Sequence, residues 1–238
     1  MARPALLVFD VFGTVVDWRS SLIRQIPALL EPYGAKVDAA AFADAWRALY
    51  QPSMEAVRRG SRPWVNLDVL HRESLDALLA RFGCTALPEE AREALNGVWH
   101  RLDPWPDANT GLAALRRVGF CCALSNGNVR MMASIARHAG FVWDQILGAE
   151  WSRAYKPMPE VYLDAVAVFG LRPEQVLMVA AHNGDLNVAH SLGLQTAFVL
   201  RPQEYGPTQT TDLAPEGPWT YVAEDFDDLA RQLAATAG

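Results

Sequence analysis

The chain has 238 residues, 51% of them hydrophobic and 20% charged, with a formal net charge of −6. That length can bury a sizeable core as one large domain or as a core with a smaller insert, and the mixed composition excludes a chain dominated by disorder. Lys and Arg are dispersed, which speaks against nucleic acid as a partner, and no apolar run reaches the roughly 18 residues of a membrane span.

Met1-Ala2-Arg3-Pro4 lacks a signal-peptide pattern, so a cytoplasmic enzyme without membrane association is expected. The first strand is the apolar run 5–9, which ends at Asp10 and continues as Val11-Phe12-Gly13-Thr14. An aspartate delivered from a buried strand into a tight glycine turn is a candidate covalent nucleophile. The competing role is a turn or helix cap.

Residues 18–100 differ in kind. Four amphipathic helix-length segments, 20–33, 39–59, 67–82 and 88–102, follow one another with breaks at Gly34, Gly60-Ser61-Arg62-Pro63 and Gly83. This stretch reads as a helical cap domain inserted into a core formed by 1–17 and 101–238. Interrupting the fold just after the first strand, it would hang over the carboxyl end of the sheet and can act as a lid.

Beyond residue 101, apolar runs at 120–124, 176–180 and 196–200 alternate with helical patterns at 109–118, 129–139, 159–169 and 186–192. Gly119, Gly140, Gly170 and Gly193 stand as helix stops. The alternation predicts an α/β fold, a doubly wound parallel sheet of Rossmann-like type with right-handed crossovers. The stretch 201–219, rich in Pro, Gly and Thr, reads as a long surface connection before a closing helix at 225–235. Cys84, Cys121 and Cys122 have no metal-ligand spacing and read as reduced packing residues.

Chemistry-bearing residues recur where predicted strands end: Asp10 after the first, Ser125-Asn126 after the second, and Asp185 after a later one, with Lys156 just before a helix. The net negative charge would repel a small anionic substrate, so positive charge has to be concentrated locally, and Arg47 and Lys156 are the candidates. Phe9-Asp10-Val11-Phe12-Gly13-Thr14, Leu124-Ser125-Asn126-Gly127-Asn128, Tyr155-Lys156-Pro157 and Asp185, eight residues before Gly193, occur in this order around the helical insert. The set resembles the L-2-haloacid dehalogenases of the haloacid dehalogenase superfamily over nearly the whole chain. Trp46-Arg47 resembles the segment from which those enzymes reach an arginine to the leaving halide.

The resemblance implies a hydrolase of the (S)-2-haloacid dehalogenase type, acting on short 2-haloalkanoates such as haloacetates, with water as co-substrate. Asp10 would displace the halide to give an ester, and water would then attack the ester carbon of Asp10, releasing an inverted 2-hydroxy acid. Lys156 would stand between Asp10 and Asp185 and keep Asp10 ionised, aimed by Pro157 and Pro159; a solvated lysine is the alternative. Ser125 and Asn126 would receive the substrate carboxylate and, from Asn126, part of the halide, with helix capping as the competing role. Thr14 would hydrogen-bond Asp10 or the water, or merely stabilise the turn. Arg47 would hold the halide, or snorkel across the insert. Tyr162 matches a family tyrosine near the lysine, with core packing as its alternative. Val11 and Phe12 would border the substrate.

Phe12 stands where a phosphate-transferring relative would carry a second aspartate. A departing halide needs no proton, so an apolar residue there is consistent with carbon–halide chemistry. Ala180-Ala181-His182-Asn183-Gly184 leaves only Asp185 to join Asp10 as an oxygen ligand, a poor cage for a divalent cation, so neither metal nor cofactor is expected. Here the chain departs from the family's serine, asparagine and tryptophan, and His182 would replace an asparagine in orienting water or lining the halide pocket, unless it is structural.

A Mg²⁺-dependent phosphatase of the same superfamily is the second reading, and Phe12, Ala180 and Ala181 oppose it. A catalytically silent binding protein, the third, would have lost one of Asp10, Ser125, Lys156 or Asp185. Fluoroacetate would be a substrate if the halide pocket were tight. Trp18, Trp46, Trp64 and Trp99, in and beside the insert, could supply a homodimer face.

Overall fold

The computed structural model describes residues 3–235. Residues 1–2 and 236–238, included in the expected core segments 1–17 and 101–238, lie outside them.

β1 (Leu6–Phe9) is wholly buried, as a strand with parallel neighbours on both sides and helices on both faces has to be. β2 (Val16–Asp17) pairs antiparallel with β3 (Asp103–Pro104), and between them the chain forms α1 (Trp18–Leu30), α2 (Ala39–Ala48), α3 (Tyr50–Arg58), α4 (Leu67–Arg81) and α5 (Glu89–Asn96). The chain continues through α6 (Ala108–Leu115), β4 (Phe120–Leu124), α7 (Val129–Ala139), β5 (Gln145–Leu147), α8 (Ala149–Ser152) and α9 (Pro159–Val168). It closes with β6 (Val176–Ala180), α10 (Asn183–Ser191), β7 (Gln195–Val199), β8 (Tyr221–Ala223) and α11 (Phe226–Ala235).

The sheet order is β5-β4-β1-β6-β7-β8, every neighbouring pair being parallel. Leu6 lies opposite Phe120 and Val176, and Phe9 opposite Ala123 and Val179, so β1, β4 and β6 end nearly level. The chain leaves β1 for β4 on one side and later returns to β6 on the other. Loops diverging from such a reversal open a crevice, and Asp10, Ser125 and Ala181 all stand at its floor.

The structure departs from the sequence reading in four places. β2, β3, β5 and β8 are not among the expected strands; each has two or three residues, too few for a recognisable apolar run. The segment 39–59 is two helices, because the ring of Pro52 would collide with the carbonyl of Ala48 in a continuous helix. The chain therefore turns at Leu49, and this break brings Arg47, Tyr50 and Gln51 to the wall of one cavity. The stretch 201–219 is not simply a surface connection, since Arg201 and Glu204 are buried. Arg201 pairs with both oxygens of Asp107 at 2.8 Å and donates to the Thr14 carbonyl at 3.0 Å, pinning this loop to the turn after β1.

The fourth departure concerns the tryptophans. Trp18, Trp46 and Trp99 are fully buried in an aromatic cluster inside the chain and offer no face to a second copy; Trp64 is half-buried under Arg153. His71 is stacked on Trp99 with ring centroids 4.3 Å apart, and neither of its nitrogens has a hydrogen-bond partner among the described residues. The three cysteines are free and buried, and burial pushes the Cys122 thiol up to about 12. Among the described residues no helix is long and apolar enough to cross a membrane.

Candidate active site

Asp10 extends β1 by one hydrogen bond, its N–H donating to Val179 O at 3.0 Å, and the chain then folds back through Gly13, whose φ is +81°. A side chain at position 13 would be doubly excluded: the backbone is left-handed, and a Cβ would fall 2.1 Å from Oε1 of Glu204. The turn sets the Thr14 hydroxyl 2.8 Å from Oδ2 of Asp10, while that same hydroxyl accepts the Ala181 N–H at 2.9 Å.

Lys156 Nζ donates to Oδ1 of Asp10 at 2.9 Å and to Asp185, whose other oxygen accepts the Tyr162 hydroxyl. The loop carrying Lys156 is held from two sides: Asn126 Oδ1 accepts its N–H at 2.7 Å, and its carbonyl accepts from Arg58 of α3 at 2.6 Å. Burial alone would raise the Asp10 pKa, but the Lys156 charge and the His182 hydrogen bond outweigh it and hold the carboxyl well below the usual carboxylate range. Burial likewise opposes the Lys156 ammonium, and the two aspartates overcome it. Asp10 is therefore an ionised, desolvated nucleophile candidate.

His182, two residues beyond β6 and immediately before α10, bridges two acids, with Nδ1 3.1 Å from Asp10 Oδ2 and Nε2 2.8 Å from Glu204 Oε2. Burial disfavours the charged ring, but Glu204 and Asp10 raise its pKa well above the ordinary histidine value. Burial would raise the Glu204 carboxyl, and the His182 charge brings it down instead. Glu204 Oε1 also accepts the Trp18 indole N–H at 3.0 Å.

Arg47 lies with its guanidinium 4.1 Å over the Tyr50 ring and 3.9 Å from Oε1 of Glu204. Its side chain is 11% exposed, which corrects the alternative of a surface-snorkelling arginine. Burial works against its charge, but Tyr205, Tyr50 and Glu204 raise its pKa. Its Nη1 is buried without a hydrogen-bond partner among the described residues. Such a donor is costly unless an acceptor arrives.

A cavity of about 360 Å³ opens above Asp10, and its wall includes Phe12, Arg47, Asn126, Lys156, Tyr162, His182 and Asp185. Thr14 lies behind Asp10, bonded to it. Val11 and Ser125 are not brought to this wall: Val11 is fully buried, and the Ser125 hydroxyl accepts the Gly127 N–H at 3.1 Å below the surface. Sequence reasoning missed Glu204 and Tyr205. The available signal was an acidic residue five positions beyond the end of β7, on the crevice side of the sheet.

The Lys156 ammonium fills the space between Asp10 and Asp185, Ala180 and Ala181 supply no side-chain oxygen, and no group of three His, Cys, Asp or Glu is placed to hold a metal ion among the described residues. What the arrangement can do is bring an electrophile between an ionised carboxylate and an unspent guanidinium donor.

The model of the haloacid dehalogenase-like hydrolases matches residues 4–181. (S)-2-haloacid dehalogenase 1 of Pseudomonas sp. strain CBS-3 is 29% identical over 204 residues, covering 83% of this chain and 86% of that protein. Among solved structures, the L-2-haloacid dehalogenase PA0810 is similar at a TM-score of 0.94 and 50% identity, over 98% of this chain and 99% of that one. The defluorinating L-2-haloacid dehalogenase Rha0230 is similar at a TM-score of 0.95 and 47% identity, over 97% and 95%.

Proposed function

The chain belongs to the haloacid dehalogenase-like hydrolases, in the branch of the L-2-haloacid dehalogenases, and on that footing we propose that it hydrolyses short 2-haloalkanoates, haloacetates foremost, through an ester on Asp10. It is a hydrolase of carbon–halide bonds. The observation that carries the reading is the pairing of an ionised Asp10 with Nη1 of Arg47, unpartnered among the described residues, across one small cavity.

In the first step a carboxylate oxygen of Asp10 forms a bond to the substrate's α-carbon while the carbon–halogen bond breaks, the halide departing with its electron pair toward Arg47. Fixed, desolvated donors are worth most against such localised charge. Asn126 and the neighbouring backbone receive the substrate carboxylate. Water then attacks Cγ of Asp10, and a 2-hydroxy acid of inverted configuration leaves. Phe12 contributes no acid and none is needed, because halide is stable unprotonated. Lys156 keeps the nucleophile ionised, Asp185 holds the Lys156 ammonium in place, Tyr162 holds Asp185, and residues 18–100 act as a cap over the core formed by 1–17 and 101–238. The likeness to a defluorinating relative supports including fluoroacetate among the substrates.

The test is halide and glycolate release from chloroacetate and from fluoroacetate by EDTA-treated enzyme, with multiple turnovers in heavy-oxygen water followed by mass analysis of the Asp10 peptide. Stoichiometric halide and label in Asp10 are expected. Magnesium-dependent phosphate release without halide would replace this reading with the phosphatase one.

A further inference from the structure

We propose that His182 and Thr14 form a two-donor oxyanion site on Oδ2 of Asp10, used when water breaks the ester, and that Glu204 is the positioning residue that holds His182 in it. The inference rests on the reading of Asp10 as an ester-forming nucleophile and adds to it how that ester is resolved.

The two oxygens of Asp10 are differently furnished. Among the described residues Oδ1 has one donor, the Lys156 ammonium, whereas Oδ2 has the Thr14 hydroxyl at 2.8 Å and His182 Nδ1 at 3.1 Å. A hydroxyl has one proton to give, and the Thr14 hydroxyl already accepts from Ala181, so its proton is committed to Oδ2. The less encumbered Oδ1 is the better nucleophile, which leaves Oδ2 as the carbonyl oxygen of the ester. Attack by water on Cγ then drives an electron pair onto Oδ2, where both donors already stand, with no rearrangement required.

The atoms balance as follows. The water oxygen bonds to Cγ, the Cγ–Oδ1 bond breaks, and the hydroxy acid leaves with Oδ1 and one water proton, passed on by Lys156 beside that oxygen. The second water proton goes to solvent, and Asp10 is restored as a carboxylate carrying the water oxygen.

Glu204 is what aims the imidazole. It is 1% exposed, pinned by the Trp18 indole through Oε1, and admitted so close to the turn because residue 13 has no side chain. Its Oε2 takes Nε2 of His182, which turns Nδ1 onto Asp10. With a carboxylate oxygen at each ring nitrogen, both nitrogens carry protons in the resting enzyme. Esterification removes the Asp10 charge, and Glu204 is then the counter-charge that keeps the ring a cation for the oxyanion. The ionisable groups facing His182 are Asp10 at the end of β1 and Glu204 and Tyr205 on the loop after β7; Lys156 and Asp185 lie across Asp10, and Arg47 beyond Glu204.

Glu204→Gln keeps the side-chain size and an oxygen for Trp18 while removing the charge. In rapid-quench experiments with chloroacetate, first-turnover chloride release should stay within about threefold of native, while breakdown of the Asp10 ester, followed by peptide mass, should slow by roughly 100-fold. The alkaline limb of the breakdown rate should move to lower pH, a shift that a merely structural role for Glu204 would not produce. His182→Gln should show the same accumulation of ester, so the inference can be judged even if one variant folds poorly. Ester breakdown at the native rate in both variants overturns it, as does slowed chloride release with unaltered breakdown, which would assign Glu204 to Arg47 instead. Native enzyme that forms no ester and takes no solvent oxygen into Asp10 overturns the underlying reading, a result separable from the other two.

Discussion

Nζ of Lys156 stands 2.9 Å from Oδ1 of Asp10, a contact closed across 146 positions of sequence and buried on both sides. Replacing Lys156 by Met would leave Asp10 and Asp185 without their shared cation. The Asp10 pKa lies below its unfolded value, so its contribution to stability is present above that value and lost as pH falls through the folded one. In Lys156→Met the Asp10 pKa should rise, moving the acid limb of kcat/KM for halide release to higher pH, with turnover down by about 100-fold or more. Urea unfolding at neutral pH should show a loss of about 3–5 kcal/mol, the cost of stranding a buried charge.

Arg47→Lys tests the guanidinium itself. A lysine ammonium is a compact point charge without the planar fork by which the Arg47 guanidinium, 4.1 Å over the Tyr50 ring, presents further N–H groups at fixed positions. First-turnover chloride release should fall by roughly 100- to 1000-fold, while breakdown of any ester formed stays near native. Equal rates in variant and native would remove Arg47 from the halide site.

Phe12→Asp would supply the second carboxylate that phosphate chemistry at this site would call for. Phe12 is 2% exposed, with its ring edge-on to Tyr50 and Trp99 at centroid distances of 6.1 and 6.0 Å. The variant should lose about 3–5 kcal/mol of stability through the lost aromatic packing, with a further cost for a buried acid. It should still release no phosphate from p-nitrophenyl phosphate with added Mg²⁺, because Ala180 and Ala181 provide no further ligand. Thermal melting and phosphate assay with and without the metal check both halves.

His71 sets a second pH dependence, one of stability alone. Burial, with Arg47 and His100 adding to it against the pull of Asp68, takes its pKa down to about 3. The unfolded chain therefore takes up a proton near pH 6.5 that the folded protein refuses, and stability present above that pH falls by up to roughly 1.4 kcal/mol per pH unit on the way down to about 3. Urea titrations at several pH values should give a shallower acid slope for His71→Phe, which keeps a ring against Trp99 and removes two unpartnered nitrogens.

Much of this molecule can be read along the chain. Asp10 at the end of an apolar run, Gly13 in the turn, and the alternation of strands and helices after residue 101 are local signals, set by side-chain period and backbone freedom within a few residues. Pro52 was an equally local signal for the break between α2 and α3, overshadowed by the continuous amphipathic pattern around it. β5 and β8 are short enough that only their neighbours in the sheet make them strands.

By itself the sequence determined the nucleophile candidate, the order of the strand-end motifs and the position of the helical stretch, because each depends on residues close together in the chain. Tertiary structure alone decided that Glu204 reaches the turn at Gly13, that His182 spans two carboxylates, that Arg47 is turned inward, and that three tryptophans are spent on the chain's own core. Those contacts join segments tens to hundreds of residues apart. Only the order of strands in the sheet and the closure of the loops over it determine which side chains meet there.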